Sequence, residues 1–473
     1  MKAYRIKIAG KDFEELKGLV FANMPKEAGA FALAGVTEYR GGSDIIIRRP
    51  IAIPKEYFSL QHEFRLEISS KAINGLVALC EKNGLGAVLC HSHPEDIPYS
   101  ISDDHGERRI FEVLRQFLLP NAPAASLLFY PSGVRGRVWL PDSIKPVSIS
   151  EIVVVGRNLQ RIRPDTSPVY ENQFVDEEIF DRQIRAFGKY GQTLIARMKV
   201  GIVGIGGTGS PTAEQLIRLG TKDLVLIDPD EFDPSNITRV YGTYDSAVRG
   251  PWWHFNKKHT RKVDLVAAYL KKINPKARIQ TIPKNIVLQD TAIKLLDRDI
   301  IFLCTDDHWG RSIVNQIAYQ YFIPTINLGI RIASDYGMIS GGVGTIDILR
   351  PDMPCLWCTQ FLRADRIAAE SMSRSTRKSL EREGYVEGID IHTPSVVSIT
   401  TTLSGMAVTL FLQQVTELMG DSGDIARLNY NIMDGTVRRG KTNIMEGCIC
   451  GKVRGFGDLK ALPTLTDMSF LEE

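Results

Sequence analysis

The chain is short of charge of either sign in excess. Its 58 Lys and Arg against 55 Asp and Glu leave a formal net charge of +3 over 473 residues. Such a balance argues against a general nucleic-acid or membrane-surface protein, which needs a field of one sign. The N-terminus, MKAYRIKIAGKDFEELKG, has no apolar run of the kind a secretory signal requires. Long hydrophobic runs are missing too. The most apolar stretch, Val396 to Val415, carries several Ser and Thr and two Gln, and reads as a buried helix, not a membrane span. No internal repeat and no low-complexity segment is present, which excludes solenoids and disordered tracts. Cysteine is scarce, and its count of seven is odd. With no secretory signal, a disulfide framework is not expected, and a reducing cytoplasm is. The charged section Ala364 to His392 has no cysteine at all.

What is present suffices for several domains. Apolar residues make up 44% of the chain, ample for buried cores, and the length suggests roughly three domains. Residues 1–142 alternate strand-like and helical runs, with a helix at Ser69 to Gly84 and a hairpin at Ala125 to Pro141. Residues 143–173 are richer in Pro and polar residues and read as a linker, with one ordered strand suggested at Ile152 to Val155. From Phe174 a helical pattern leads to an apolar strand. Strands and helices then alternate to about residue 350, which predicts an α/β domain with a parallel, doubly wound sheet over 174–458. Ala364 to Ile391 reads as a mobile crossover loop or lid, and 459–473 as a tail.

The stretch CHSHPEDIPYSISDDHGE, residues 90–107, ends an apolar strand with His91 and His93. Alternate strand residues face one side, so both imidazoles can reach one ion. Pro94 turns the chain, and Ser100 and Asp103 follow. Two histidines and a carboxylate are a ligand set for catalytic zinc with one position left for water. The ordinary alternative is a strand-to-loop junction without metal. The pattern resembles the JAB/JAMM (MPN) metalloprotease family, which cleaves isopeptide or peptide bonds after the C-terminal glycine of ubiquitin-like proteins. The resemblance implies a mixed sheet with flanking helices, with His91, His93 and Asp103 on zinc. It also implies Glu27, in PKEAGAFALAG, as general acid/base and Ser100 on the oxyanion. The family spacing from second histidine to aspartate is one residue longer. Asp104 sits at that spacing, but Asp103 keeps the SxxD register and is preferred.

A second site begins at VGIVGIGGTGS, where Gly204, Gly206, Gly207 and Gly209 follow a strand and precede a helix. Glycines allow close approach of backbone to phosphate, and a helix N-terminus favours negative charge. Asp228 closes the next strand, where a ribose-binding acid is expected. Alone, this would suggest a nicotinamide dehydrogenase. Asp230, Asn236, Arg239, Lys262, Asp306 and Arg311 tilt it toward a nucleoside triphosphate with magnesium, because cations neutralise phosphates and a carboxylate holds the metal. Singly, each of these charges reads as a solvated surface group; their order and strand-end placement carry the case.

That order closely resembles the ThiF/MoeB and ubiquitin-activating enzyme family, which adenylates the C-terminal glycine of ubiquitin-like proteins. The resemblance implies a Rossmann-like domain in which Gly204, Gly206 and Gly207 line the ATP phosphates and Asp228 holds the ribose. Asn236, Arg239 and Lys262 would contact phosphates, Asp306 would hold magnesium, and Arg182 would reach the partner's ATP in a homodimer. CLWC and GCICG supply Cys355, Cys358, Cys448 and Cys450, two close pairs that suit a structural zinc with four thiolates. The family has CxxC in both places and this chain has CxC in the second, so two unconnected pairs of free thiols stand as the alternative. Cys80, Cys90 and Cys304 lie in apolar runs and read as core. Thioester-forming relatives keep a nucleophilic cysteine within the section that here has none, so a partner's thiol, such as a conjugating enzyme's, is expected instead. The two resemblances imply a fusion of a zinc peptidase with an adenylating enzyme, both acting on one ubiquitin-like tail. Such fusions resemble bacterial conjugation operons, several linked to antiviral defence. Sulfur-carrier activation for thiamin, molybdopterin or cysteine synthesis is the alternative enzyme reading, and a non-enzymatic scaffold the third.

Overall fold

The computed structural model describes residues 2–141, 143–163, 175–244, 260–373, 375–376 and 394–469. The chain divides into two units. The first comprises Met1–Val169, Tyr319–Phe322 and Lys452–Ala461; the second comprises Tyr170–Ala318, Ile323–Gly451 and Leu462–Glu473.

In the first unit, strands β1 (Ala3–Ala9), β2 (Gly29–Tyr39), β3 (Gly42–Ala52), β6 (Gly86–Ser92), β7 (Ala124–Tyr130), β8 (Gly133–Val138), β9 (Val147–Ser148), β10 (Glu151–Val155) and β11 (Leu159–Ile162) form one mixed sheet. Its order is β11-β10-β1-β3-β2-β6-β7-β8-β9, and β4 (Phe58–His62) and β5 (Arg65–Ile68) make a separate hairpin. The central strand β2 reads GAFALAGVTEY and is buried over its first nine residues. Both faces are covered, which is why its apolar run is continuous and not alternating. Ala30, Ala32 and Ala34 face the cluster containing Phe13, Leu16 and Val20 of helix α1 (Gly10–Phe21). Phe31 and Leu33 face the cluster built from α2 (Ser70–Asn83) and α3 (Ile101–Leu114).

Within residues 143–173, expected as a linker, 147–162 supply β9, β10 and β11, and 164–173 lie outside the described residues. The EIVVV run of β10 is wholly buried and pairs in parallel with β1 from Arg5↔Glu151 to Ala9↔Val155. A run that apolar lowers its free energy by extending the sheet, so it does not remain a solvated tether. Of residues 459–473, expected as a tail, the described part to 469 is engaged through Leu465. Just before them, Asp458 accepts from the Thr37 hydroxyl at 3.1 Å and the Glu38 amide at 2.8 Å, within the first unit. Leu465 exchanges backbone bonds with Val287 and Gln289, both at 2.8 Å, within the second.

The second unit holds β12 (Lys199–Val203), β13 (Asp223–Ile227), β14 (Arg278–Ile282), β15 (Ile300–Leu303), β16 (Thr325–Asp335), β17 (Met338–Leu349), β18 (Arg427–Asn431) and β19 (Val437–Gly440). The order is β14-β13-β12-β15-β16-β17-β18-β19. The first five are parallel and the last three antiparallel, so the sheet is mixed and not wholly parallel as expected. From β12 the chain moves outward through β13 to β14, then returns to β15 on the other side of β12. In open α/β sheets such a reversal is where ligands bind, outside the carboxyl ends of the strands, here β12 and β15. Helices of this unit include α4 (Asp181–Arg197), α5 (Gly209–Leu219), α6 (Lys262–Ile273), α7 (His308–Gln320), α8 (Ala364–Glu370) and α9 (Val397–Thr416). Helix α9 mixes apolar residues with Ser, Thr and Gln around its circumference, and buries Leu403, Ala407, Leu410 and Phe411 together with Thr400 and Ser404. Its hydroxyls bond back one turn, Ser404 to the Thr400 carbonyl at 2.9 Å and Thr416 to that of Leu412 at 2.7 Å, so they cost little to bury. Among the described residues no helix is long and apolar enough to cross a membrane. The expected crossover loop lies largely outside the described residues, apart from α8 and a few flanking positions.

Candidate functional site

Strand pairing builds the first cluster. Gly29 of β2 stands opposite His91 of β6, and the Ser92 amide bonds the Ala28 carbonyl at 3.1 Å, so Glu27 arrives beside the end of β6. Strand alternation puts the rings of His91 and His93 on one side, 5.2 Å apart by their centroids. Asp103 reaches them from the first turn of α3, its oxygens 3.5 Å from His91 Nε2 and 3.6 Å from His93 Nε2. Glu27 Oε1 lies 3.7 Å from His93 Nε2. One ligand atom from each of His91, His93 and Asp103 falls within 4.8 Å of the others. Ser100 caps α3, and its hydroxyl bonds an Asp103 oxygen at 2.7 Å, while its amide donates to the same oxygen at 2.6 Å. Asp104 turns away and pairs with Arg137 of β8.

The electrostatics suit a metal. His91 Nε2 is buried without a hydrogen-bond partner. His93 Nδ1 lies 3.0 Å from the Ile97 carbonyl oxygen; a proton donated there leaves the Nε2 lone pair free toward the cluster. Burial chiefly holds His91 neutral, down to about 4. Burial raises Glu27 to about 7 against the pull of His93, with Asp103 adding to the rise. Burial opposes the charged form of Asp103, yet His93, His91 and Ser100 outweigh it and hold the carboxyl well below the usual range. Two nitrogens and a carboxylate in this state, with the raised carboxyl of Glu27 beside them, fit a divalent zinc with an open position.

The second cluster lies at the carboxyl ends of the parallel strands. Gly204 ends β12 at φ +87°, and a Cβ there would stand 2.4 Å from the Thr305 nitrogen, so only glycine lets the loop pass β15. Gly206 has nothing within 4 Å on its Cβ side, which leaves open space over the loop. Gly207 faces Arg239, whose Cδ would be 3.5 Å from an added Cβ. Asp228 is buried beneath, accepting from the Ile205 amide at 2.7 Å and the Asp230 amide at 2.9 Å. Lys262 opens α6 with its ammonium 3.4 Å from Asp228 and 2.7 Å from Asp230. Burial works against that charge, but the two carboxylates outweigh it and raise the lysine. Asn236 is buried, and its carbonyl oxygen accepts from the Asp233 amide at 3.3 Å, so it braces the turn that carries Arg239. Asp306 is exposed just past β15, and Arg182 is exposed on the first turn of α4.

Arg311 corrects an expectation. Read with the phosphate-binding cations, it is wholly interior, donating to Asn327 and to the Leu328 carbonyl at 3.0 Å with Phe361 against it. It lies one turn into α7, and its guanidinium reaches Asn327 and Leu328 of β16. Glu370 of α8 escaped the sequence. It accepts from the His308 and Trp309 amides at 3.0 and 2.6 Å, capping α7 from a distant segment, and burial raises it to about 7.

The cysteine pairs meet. Sulfur separations are 3.6 Å for Cys355–Cys358, 3.5 Å for Cys355–Cys448 and 3.8 Å for Cys358–Cys450. Tetrahedral zinc with bonds of about 2.3 Å would set such edges at about 3.8 Å. The Met445 amide lies 3.4 Å from Cys358 Sγ, as a donor to a thiolate would. The CxC spacing thus suits four-sulfur closure. Cys80, Cys90 and Cys304 are buried, and burial pushes Cys80 and Cys304 up to about 12 and Cys90 higher still.

A glycine loop at the switch point of a largely parallel sheet, with acid and base beside it, defines the second unit as a Rossmann-like α/β domain of nucleotide-binding type. The chain belongs to the ThiF family, which residues 180–447 match. Among curated proteins it is 28% identical over 249 residues to ubiquitin-like modifier-activating enzyme 5 of Drosophila virilis, covering 50% of this chain and 54% of that one. The enzyme of the same name from Aedes aegypti is 26% identical over 253 residues, with 50% and 55% covered. The chain spans about half the length of the curated relatives it matches. Among solved structures, the microcin C7 biosynthetic enzyme MccB in complex with N-formylated MccA matches at 15% identity and a TM-score of 0.45, covering 59% of this chain and 76% of that one.

Proposed function

We propose that this chain adenylates the C-terminal glycine of a ubiquitin-like protein with ATP, and carries a zinc-dependent peptidase site for the same kind of tail in its first unit. The observation that carries the adenylation reading is the open space over Gly206, with Arg239 beside the next glycine, Gly207, and Lys262 paired with the buried Asp228 that accepts from the loop's Ile205 amide. The name of the curated relatives, ubiquitin-like modifier-activating enzyme, supports the substrate class. In the reaction a glycine carboxylate oxygen attacks the α-phosphorus, a new P–O bond forms, and the bond to the pyrophosphate breaks. Arg239 and Lys262 offset the charge that builds on the phosphates. Asp306 would hold the magnesium, which supplies charge neutralisation at the leaving pyrophosphate.

For the peptidase, His91, His93 and Asp103 would hold zinc, which supplies a water of pKa near about 7. Glu27 takes a proton at that position and returns it to the leaving amine; a carboxyl raised to about 7 suits both tasks. Ser100 holds Asp103 in place through its amide and hydroxyl, and the family resemblance would give it the oxyanion as well. Cys355, Cys358, Cys448 and Cys450 would hold a structural zinc.

The test is exchange of labelled pyrophosphate into ATP, which is expected only when a ubiquitin-like protein with a free C-terminal glycine is present. Asp306→Ala should abolish it. Tight NADH binding with no exchange would favour a dehydrogenase instead. Exchange followed by transfer to sulfide, and not to a protein thiol or amine, would favour sulfur-carrier activation.

A further inference from the structure

Arg137 lies on β8, more than thirty residues from Asp103 in sequence, and is nearly wholly buried. Its guanidinium donates from Nε to Glu107 Oε2 at 2.9 Å and from Nη1 to Asp104 Oδ1. Both acids sit on α3, and Glu107 is one turn beyond Asp103. Glu107 Oε2 is fixed further by the Ser126 hydroxyl and the Trp139 indole, each at 2.8 Å. The same guanidinium stacks on the Tyr99 ring, 3.7 Å from its centroid, and Tyr99 stands edge-on to His91 at 5.9 Å. One planar cation therefore ties the helix that presents Asp103 to the sheet and backs the ring beside His91. A buried ion pair gives little net stability over apolar side chains of its size. Its clear yield here is geometry.

Resting on the peptidase-site reading above, we propose that Arg137 is a positioning residue: it sets the turn of α3 that carries Asp103, and the Tyr99 ring that packs on His91, so that the two ligands converge. Residues that orient metal ligands change metal affinity or activity by about 10–100-fold when lost.

The test is zinc competition with a chromophoric chelator on the full chain. The zinc lost in Asp103→Ala defines this site and separates it from the cysteine site. Arg137→Met should raise the dissociation constant of that zinc by about 10–100-fold. Arg137→Lys should fall between, because an ammonium lacks the fork that holds both carboxylates. Asp104→Asn, on the exposed limb of the clamp, should give a smaller rise without threatening the fold. A purely structural role would lower the melting temperature and leave zinc affinity unchanged. Wild-type zinc affinity in both Arg137→Met and Asp104→Asn would overturn the proposal. Unchanged zinc content in Asp103→Ala would overturn the site and the proposal together. Tight zinc with no cleavage of any ubiquitin-like fusion would overturn the peptidase reading alone.

Discussion

Asp103 and Asp104 are neighbours with the same side chain, yet α3 sends one to two histidines and the other to Arg137. Successive helical residues point about 100° apart, so each meets a different wall. Glu27 shows the same dependence on surroundings, since its raised pKa comes first from burial. Glu27→Gln should keep zinc at wild-type stoichiometry and lose cleavage of a ubiquitin-like fusion by roughly 100-fold or more. Full cleavage by that variant would remove Glu27 from the reaction. Asp44 tests a charge outside either site. It is wholly buried and accepts from Arg5 at 2.7 and 2.9 Å, with Lys7 at 2.9 Å. Burial raises it, but Lys7 and Arg5 win and hold it at about 2. The folded pKa is depressed, so this contribution is complete above about pH 4 and is lost as pH falls through about 2. Asp44→Asn removes the buried negative charge that Lys7 and Arg5 face and should lower stability at pH 7 by about 3–5 kcal/mol in urea unfolding. The gap from wild type should narrow from pH 4 to pH 2, and a gap constant across that range would show the ion pair is not its source.

Among the elements, the β12–loop–α5 unit separates two uses of glycine. Gly204 is glycine because the chain must turn at positive φ against the Thr305 backbone, whereas Gly206 faces empty space. Gly204→Ala should destabilise the second unit by at least about 2 kcal/mol and abolish exchange. Gly206→Ala should melt like wild type and raise the KM for ATP by about tenfold or more, because its new methyl enters the phosphate space. An unchanged KM would mean that the nucleotide lies elsewhere. Strand–loop–helix order was legible because the glycines, the apolar strand and the following amphipathic helix are contiguous. Strand β10, which lies between β1 and β11, was read as a strand but assigned to a linker, because nothing local says which strand's open edge it will join.

At the scale of the whole molecule, Arg182 bears on assembly. It lies shortly before its own glycine loop in sequence and is exposed on α4, as a residue serving a neighbouring subunit would be. We expect a symmetric dimer in which it completes the partner's site. Mixing Arg182→Ala with Asp306→Ala should then restore part of the exchange, since one hybrid site carries neither change. No recovery, with subunit exchange confirmed, would place Arg182 within its own chain or outside the chemistry.

The sequence by itself determined whatever rests on short spacing. His91 and His93 share a face because a strand alternates every second residue. Ser100 and Asp103 meet because they lie at the cap and third position of one helix. The Val396 to Val415 stretch forms a helix that buries its apolar residues, and its hydroxyls can follow because they bond their own backbone. Tertiary structure alone decided the rest. It chose between Asp103 and Asp104 in contact with the histidines, and brought Cys448 and Cys450 to Cys355 and Cys358 across about ninety residues. It turned Arg311 inward, set Glu370 on the start of α7, and made Arg137 the hub of α3. In each case the partner comes from a distant segment, and the preference of a charge for one partner over another is set by burial. Burial is a property of the packed chain, which no local spacing encodes.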